Sequence, residues 1–326
     1  MACRMYASSR ARAEAFIDRL GIRLPILLAP MAGACPPSLS IAVANAGGMG
    51  ACGALLMKSE AIEAWSAEFR RHSEGEFQLN LWIPGPEPVR DYNLETRQRK
   101  YLATWGPTVP EDAGDTFMPD FEAQCQAMIA IAPKAISSIM GVYDPAFVSE
   151  LKAHGILWLA TATTVAEARV AEKAGADVIV AQGMEAGGHR GAFLADEAES
   201  QMVGLIALLP QIVDAVNVPV IATGGIADAR GVVAALILGA SAVQIGTGFL
   251  RSPEAMMHPA YADRLEHTEA HEMLVTRAFT GRSGRAVVSE YVLCFNCSEC
   301  PSSSSISDPT RAHSCNAGRC AEGWRR

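Results

Sequence analysis

One histidine stands where a proton-accepting group is useful. Residues 182–191 read Gln182-Gly183-Met184-Glu185-Ala186-Gly187-Gly188-His189-Arg190-Gly191, and they follow the apolar, β-branched run Asp177-Val178-Ile179-Val180. A strand that ends in glycines and presents an imidazole a few residues later suits an α/β barrel, whose catalytic face is built from the loops after its strands. An imidazole titrates near neutral pH, so His189 can serve as a base poised over a bound cofactor. Two further clusters, Thr223-Gly224-Gly225-Ile226-Ala227-Asp228 and Gln244-Ile245-Gly246-Thr247-Gly248, carry glycines that let backbone N–H groups close around a phosphate. In barrels that hold a phosphorylated cofactor, such a cradle follows strands seven and eight.

The elements that must position these residues can be marked off in order. Eight apolar runs occur, at Pro25–Pro30, Gly48–Gly53, Phe77–Trp82, Ala135–Gly141, Gly155–Ala162, Asp177–Gly183, Pro219–Gly225 and Ser241–Leu250. Most hold too few polar residues to face water on one side, so they read as buried parallel strands. Segments with helical spacing fill the gaps: Ser38–Ala46, Ser59–Arg71, Phe121–Ala132, Pro145–His154, Thr164–Ala174, Gln201–Val216 and Asp228–Leu238. Eight such units over residues 21–290 predict a single α/β (β/α)8 TIM barrel, a fold that takes about 250 residues. The glycine clusters then fall at strands seven and eight, which glycines acting merely as strand terminators would not require. A doubly wound sheet is the alternative, with its phosphate loop early in the chain.

An early glycine motif is present and misleading. Gly48-Met49-Gly50-Ala51-Cys52-Gly53 fits G-x-G-x-x-G, yet a dinucleotide fingerprint must follow a strand and open a helix. Here a helical stretch precedes it and the glycines lie in the second strand run, so they read as a tightly packed barrel strand.

Composition narrows the class further. Half the residues are hydrophobic and 19% are charged, which supports a sizeable core. A net charge of −8 leaves no footprint for nucleic acid or an anionic membrane. Gly231–Leu250 is uncharged for transmembrane length, but Gly239, Ser241, Gln244, Gly246, Thr247 and Gly248 interrupt it, and it parses as a helix end followed by strand eight. Arg4, Arg10 and Arg12 among Ser and Ala give a faint organellar targeting pattern that Glu14 and Asp18 break, so cytoplasmic is the default location. The sequence leaves a homodimer open.

The segments Leu24-Pro25-Ile26-Leu27-Leu28-Ala29-Pro30-Met31-Ala32-Gly33, Gln78-Leu79-Asn80-Leu81, Gln182–Gly191, Thr223–Gly231 and Ala242–Leu250 resemble the nitronate monooxygenase family, with the Glu-Ala-Gly-Gly-His stretch the most specific part. The resemblance runs from about Gly21 to Arg285. It implies an FMN-dependent barrel that oxidises nitronates with molecular oxygen to carbonyl compounds and nitrite. By this resemblance Ala29, Pro30 and Met31 lie against the flavin ring, and Asn80 and Gln182 hydrogen-bond it. Gly187, Gly224, Gly225, Gln244, Ile245, Gly246 and Thr247 hold the ribityl chain and phosphate, and His189 falls on the catalytic histidine. The residue types agree, since a flavin needs an apolar wall and hydrogen bonds to its pyrimidine edge. A neutral nitroalkane needs a base, whereas a pre-formed nitronate has no α-proton to lose and needs only positioning. Two other functions compete: an FMN-dependent NAD(P)H oxidoreductase of the quinone or enoyl reductase type, and a non-catalytic FMN-binding paralogue.

Other features read more plainly. His267 and His271 lack a third ligand, so they read as a solvated face and no metal is expected. Trp82 and Trp105 bracket a Pro-rich insertion at about 84–120, suited either to a lid or to a surface excursion. Asp144, Glu185 and Arg190 read as caps or ion pairs. Residues 1–20 read as an N-terminal segment. Residues 291–326 depart from the family: five of the nine cysteines (Cys294, Cys297, Cys300, Cys315, Cys320) and the run Ser302–Ser305 lie there. Their spacing fits no zinc module, and a disordered or altered tail is the preferred reading. Cys3, Cys35, Cys52 and Cys125 are scattered, unlike a secreted disulfide scaffold.

Overall fold

The computed structural model describes residues 8–86, 89–115 and 118–296. Eight parallel strands form one sheet: β1 (Ile26–Leu28), β2 (Gly50–Gly53), β3 (Phe77–Trp82), β4 (Ala135–Ile139), β5 (Leu157–Ala162), β6 (Val178–Gln182), β7 (Val220–Thr223) and β8 (Ala242–Ile245). Their order is β1-β8-β7-β6-β5-β4-β3-β2. The ring closes where Leu27 bridges Met49, with Leu28 N–H donating to Met49 O at 2.9 Å and Met49 N–H to Ile26 O at 3.0 Å. This is the expected (β/α)8 barrel.

Several of the surrounding helices begin at side-chain caps. Asp144 accepts from Ala146 N–H at 2.8 Å and starts α6 (Pro145–Ala153), following α1 (Ser9–Leu20), α2 (Pro37–Asn45), α3 (Ser59–His72), α4 (Tyr92–Leu102) and α5 (Phe121–Ile131). The rest are α7 (Val165–Ala174), α8 (Leu205–Ala215), α9 (Ala229–Ile237), α10 (Pro259–Glu266) and α11 (Glu290–Asn296). Gly231–Leu250 is divided between α9 and β8, and among the described residues no helix is long and apolar enough to cross a membrane.

Side chains two apart on a strand share a face, and the barrel interior uses this to stack two layers. Leu27, Leu159, Val178, Val180, Ile221 and Ala242 form one apolar cluster with Phe16, Leu20 and Ile22. Helix α1 therefore stops one end of the barrel, held also by Arg12, whose guanidinium donates to Leu236 O and Ala240 O of the α9 region. Leu20 is fully buried. Leu20→Ala should destabilise the protein by about 2–5 kcal/mol in denaturant titration, because a cavity would open in this plug; a loss near zero would show that α1 only lies on the surface.

The glycines of the early motif do what close packing requires. A Cβ at Gly48 would meet Ile26 O at 2.7 Å, one at Gly50 would meet Phe69 Cε2 at 2.9 Å, and one at Gly53 would meet Ala32 N at 2.6 Å. One boundary differs from the sequence reading. The run Ser241–Leu250 is not one strand: β8 stops at Ile245, Gly246 turns to φ −111°, ψ −80°, and Thr247–Phe249 is a 3-10 turn.

The described residues divide into two compact units, one of residues 8–84 with 119–267, which hold the barrel, and one of those within 85–118 and 268–296. In the second unit, β9 (Met273–Thr276) pairs antiparallel with β10 (Gly284–Val287), and Tyr291 of α11 gathers Tyr101, Trp105 and Phe279 at ring-centroid distances of 6.1, 5.5 and 5.7 Å. Arg90 ties the insertion to itself through Glu95 and Asp115. Helix α11 spans the boundary at 290, and Cys294 is buried on it. The remaining tail cysteines and Ser302–Ser305 lie outside the described residues, as does the reading of that end as disordered, altered or zinc-binding.

Candidate active site

A second interior layer sits at the C-terminal ends of the strands, and it is polar. Gln78 and Asn80 of β3, Ser137 of β4, Thr161 of β5, Gln182 of β6, Thr223 of β7 and Gln244 of β8 are all buried. Except for Gln78, the second residue of β3, each lies two residues beyond an interior apolar neighbour or a fellow member, so strand alternation places the ring. Buried polar groups must be paired. Asn80 Nδ2 donates to Ser137 Oγ at 3.0 Å, Thr223 Oγ1 to Gln244 O at 2.8 Å, and Gln78 Nε2 to both Leu28 O at 3.2 Å and Gln244 Oε1 at 3.1 Å. Among the described residues Gln78 Oε1 has no partner, an open acceptor in the floor of the site. Sequence reading found Asn80, Gln182 and Gln244, and Thr223 within its glycine cluster, but missed Gln78, Ser137 and Thr161; the period-two spacing of polar residues within the runs was the available signal.

Above this layer the expected site residues converge. A Cβ at Gly246 would sit 3.2 Å from Ala29 Cβ and 3.3 Å from Met31 Sδ, so the segment after β1, with Pro30 between them, lies against the end of β8. One at Gly187 would reach Thr247 Oγ1 at 2.6 Å, which brings the His189 loop to the same place. Gly224 and Gly225 adopt φ of +119° and +67°, the left-handed region that glycine alone enters without strain. Among the described residues, the N–H groups of Gly224, Gly225, Gly246, Thr247 and Gly248 meet no protein acceptor. Five such N–H groups, on half-buried or exposed residues of two adjoining turns, are of the kind that can receive a phosphate. The residues present therefore fit a phosphate-bearing flavin, with Met31 as apolar wall and the amide ring beneath.

His189 is half-buried, its ring edge-on to Trp82 with centroids 4.6 Å apart at 65°. Gln182 is committed to this loop: its Nε2 donates to His189 O at 3.0 Å and its Oε1 accepts from Gly191 N–H at 2.8 Å. Glu185 caps α8, both carboxylate oxygens accepting from Leu205 N–H. A cavity lined by Arg70, Ser73, Glu74 and Lys134 opens at Phe77, the opposite end of β3, and takes in none of these groups.

Thiol chemistry is not available nearby. Cys35 Sγ donates to Ala29 O at 3.3 Å, and burial pushes its pKa up to about 12; burial also raises Cys52, and raises Cys125 to about 12. Iodoacetamide at neutral pH should leave these three unmodified in the native protein by peptide mapping. Rapid labelling of Cys35 would contradict this burial.

The family model for nitronate monooxygenase matches residues 13–313. The chain belongs to the nitronate monooxygenase family. This match is wider than the Gly21–Arg285 span carried by the motifs, and it makes the protein a flavin-dependent oxidoreductase. A probable nitronate monooxygenase of Staphylococcus aureus strain Newman is 36% identical over 279 residues, covering 84% of this chain and 78% of the relative. Among solved structures, nitroalkane oxidase from Streptomyces ansochromogenes is 34% identical with a TM-score of 0.74, covering 85% of this chain and 80% of its own. FabK from Thermotoga maritima is 30% identical with a TM-score of 0.65, covering 84% and 74%.

Proposed function

We propose that this member of the family binds FMN and oxidises alkyl nitronates, and neutral nitroalkanes, with molecular oxygen to a carbonyl compound and nitrite. The observation that carries the reading is His189, half-buried on the β6 loop beside the glycine turns and edge-on to Trp82. The names of the Staphylococcus and Streptomyces relatives point to the same substrates.

FMN is favoured over FAD because the glycine turns after β7 and β8 suit one terminal phosphate, and no adenylate fingerprint stands in context. Gly224, Gly225, Gly246, Thr247 and Gly248 would hold the phosphate through their N–H groups, Gly187 would adjoin the ribityl chain, and Ala29, Pro30 and Met31 would form the wall beside the ring. Asn80, Gln78 and Gln244 would supply amides below it, with Gln244 and Ile245 carrying the backbone into the turn. When bound, the flavin supplies electron transfer and oxygen chemistry. The chain's own task is to bind the nitro compound and, for a neutral substrate, to accept its α-proton on the His189 imidazole.

The test is direct. The purified protein should carry non-covalent FMN and release nitrite from the 2-nitropropane nitronate. Steady NADH consumption without any nitro compound, and no nitrite with one, would instead favour the reductase reading that the likeness to FabK keeps in view.

A further inference from the structure

Arg190 follows His189 directly, yet the residue is only 2% exposed. Its single hydrogen bond among the described residues runs from Nη1 to Gly183 O at 2.9 Å, while Nε and Nη2 are buried without an acceptor. A buried arginine that serves stability alone engages a carboxylate with its planar fork. Arg190 forms no ion pair among the described residues. The two carboxylates whose charge offsets its burial are engaged elsewhere. Glu167 accepts from Thr163 N–H at 2.6 Å, Thr163 Oγ1 at 2.7 Å and Phe193 N–H at 2.7 Å, and Glu185 accepts from Leu205 N–H.

What Arg190 does hold is the root of the loop. Its bond to Gly183 closes the chain from 183 to 190 on itself. Gln182 grips the same loop at His189 O and Gly191 N–H. The carbonyl of His189, the side chain of the next residue and the N–H of the one after are all tied to the end of β6. These ties fix the backbone from which the His189 ring meets Trp82.

We propose that Arg190 is the positioning residue that fixes where the His189 imidazole stands, acting through the Gly183 carbonyl; its effect on turnover rests on the reading of His189 as base. Only one donor of the guanidinium is used, so a lysine, which keeps the charge and one donor, should largely suffice, unlike at a bidentate site.

The test compares Arg190→Met, Arg190→Lys, His189→Asn and the Arg190→Met/His189→Asn double variant as flavin-loaded holoenzymes. Arg190→Met should keep its flavin and lose about 10–100-fold in kcat on a neutral nitroalkane, the scale of a misplaced catalytic group. Turnover of pre-formed nitronate should change little, and Arg190→Lys should recover most of the loss. In the His189→Asn background the Arg190 substitution should add no further loss. Independently of activity, the ring signal of His189 in histidine-labelled protein, identified by its disappearance in His189→Asn, should move in Arg190→Met and return in Arg190→Lys. An unmoved ring signal, or the same fold loss with His189 already replaced, overturns the proposal. If the native enzyme does not turn over nitroalkanes at all, the base reading fails by itself and the ring signal alone decides the positioning role. Should Arg190→Met not yield folded flavoprotein, Arg190→Gln, which keeps a donor but no charge, takes the same measurements.

Discussion

Replacing His189 with asparagine should leave a folded, flavin-loaded protein whose turnover of neutral nitroalkanes is about 10²–10⁴-fold lower, the usual contribution of a positioned base. The fold should tolerate the change because the side chain is half-buried on a loop and belongs to none of the apolar clusters. Turnover of a pre-formed nitronate should fall far less, since its α-proton left before binding and only anion positioning is lost. The native enzyme should then show two pH profiles: the nitroalkane rate rises as an imidazole loses its proton, and the nitronate rate does not follow that limb. Equal losses on both substrates would mean that His189 orients the substrate or tunes the flavin, and its assignment as base would have to be dropped.

Legibility in the sequence followed the strength of the local pattern. Long apolar runs bounded by glycine and proline gave all eight barrel strands, because a parallel strand covered on both faces leaves a continuous hydrophobic signature. The polar layer was harder to see for the same reason. Gln78 and Thr161 each interrupt such a run by one residue and Ser137 with Ser138 by two, and only the closed ring shows which of them turn inward. Arg190 and Glu185 both read as caps or ion pairs. Glu185 is a cap, as its type allows, but Arg190 is buried, a fact that depends on the loop folding back on Gly183. Gln182 stands where the motif predicts, and its amide also grips the loop, a role that no local pattern announces. The pair β9 and β10 went unread because two four-residue strands with partly exposed residues carry almost no periodic signal.

The glycine turn after β7 allows the sharpest test of the cofactor site. Gly225 has φ +67°, and a side chain there would begin 3.1 Å from Glu185 Cβ. A valine therefore does not simply protrude into the phosphate path. It is strained in the left-handed region and pressed against the residue that caps α8, so the turn must change and the N–H groups of Gly224 and Gly225 must leave their present directions. Each charge-assisted hydrogen bond to a phosphate is worth about 1.5–3 kcal/mol, so losing two should weaken flavin binding by roughly 10²-fold or more. Strain alone predicts a different result, and Gly155 separates the two. It has φ +68° with nothing within 4 Å of its Cβ position, and it lies before β5 at the opposite end of the barrel. Gly155→Val carries a similar backbone penalty without touching the turn, and should therefore keep its flavin while losing some thermal stability. Purified Gly225→Val should be nearly colourless with its far-UV circular dichroism intact. Full flavin retention in Gly225→Val, or equal loss in both variants, would move the phosphate site away from this turn.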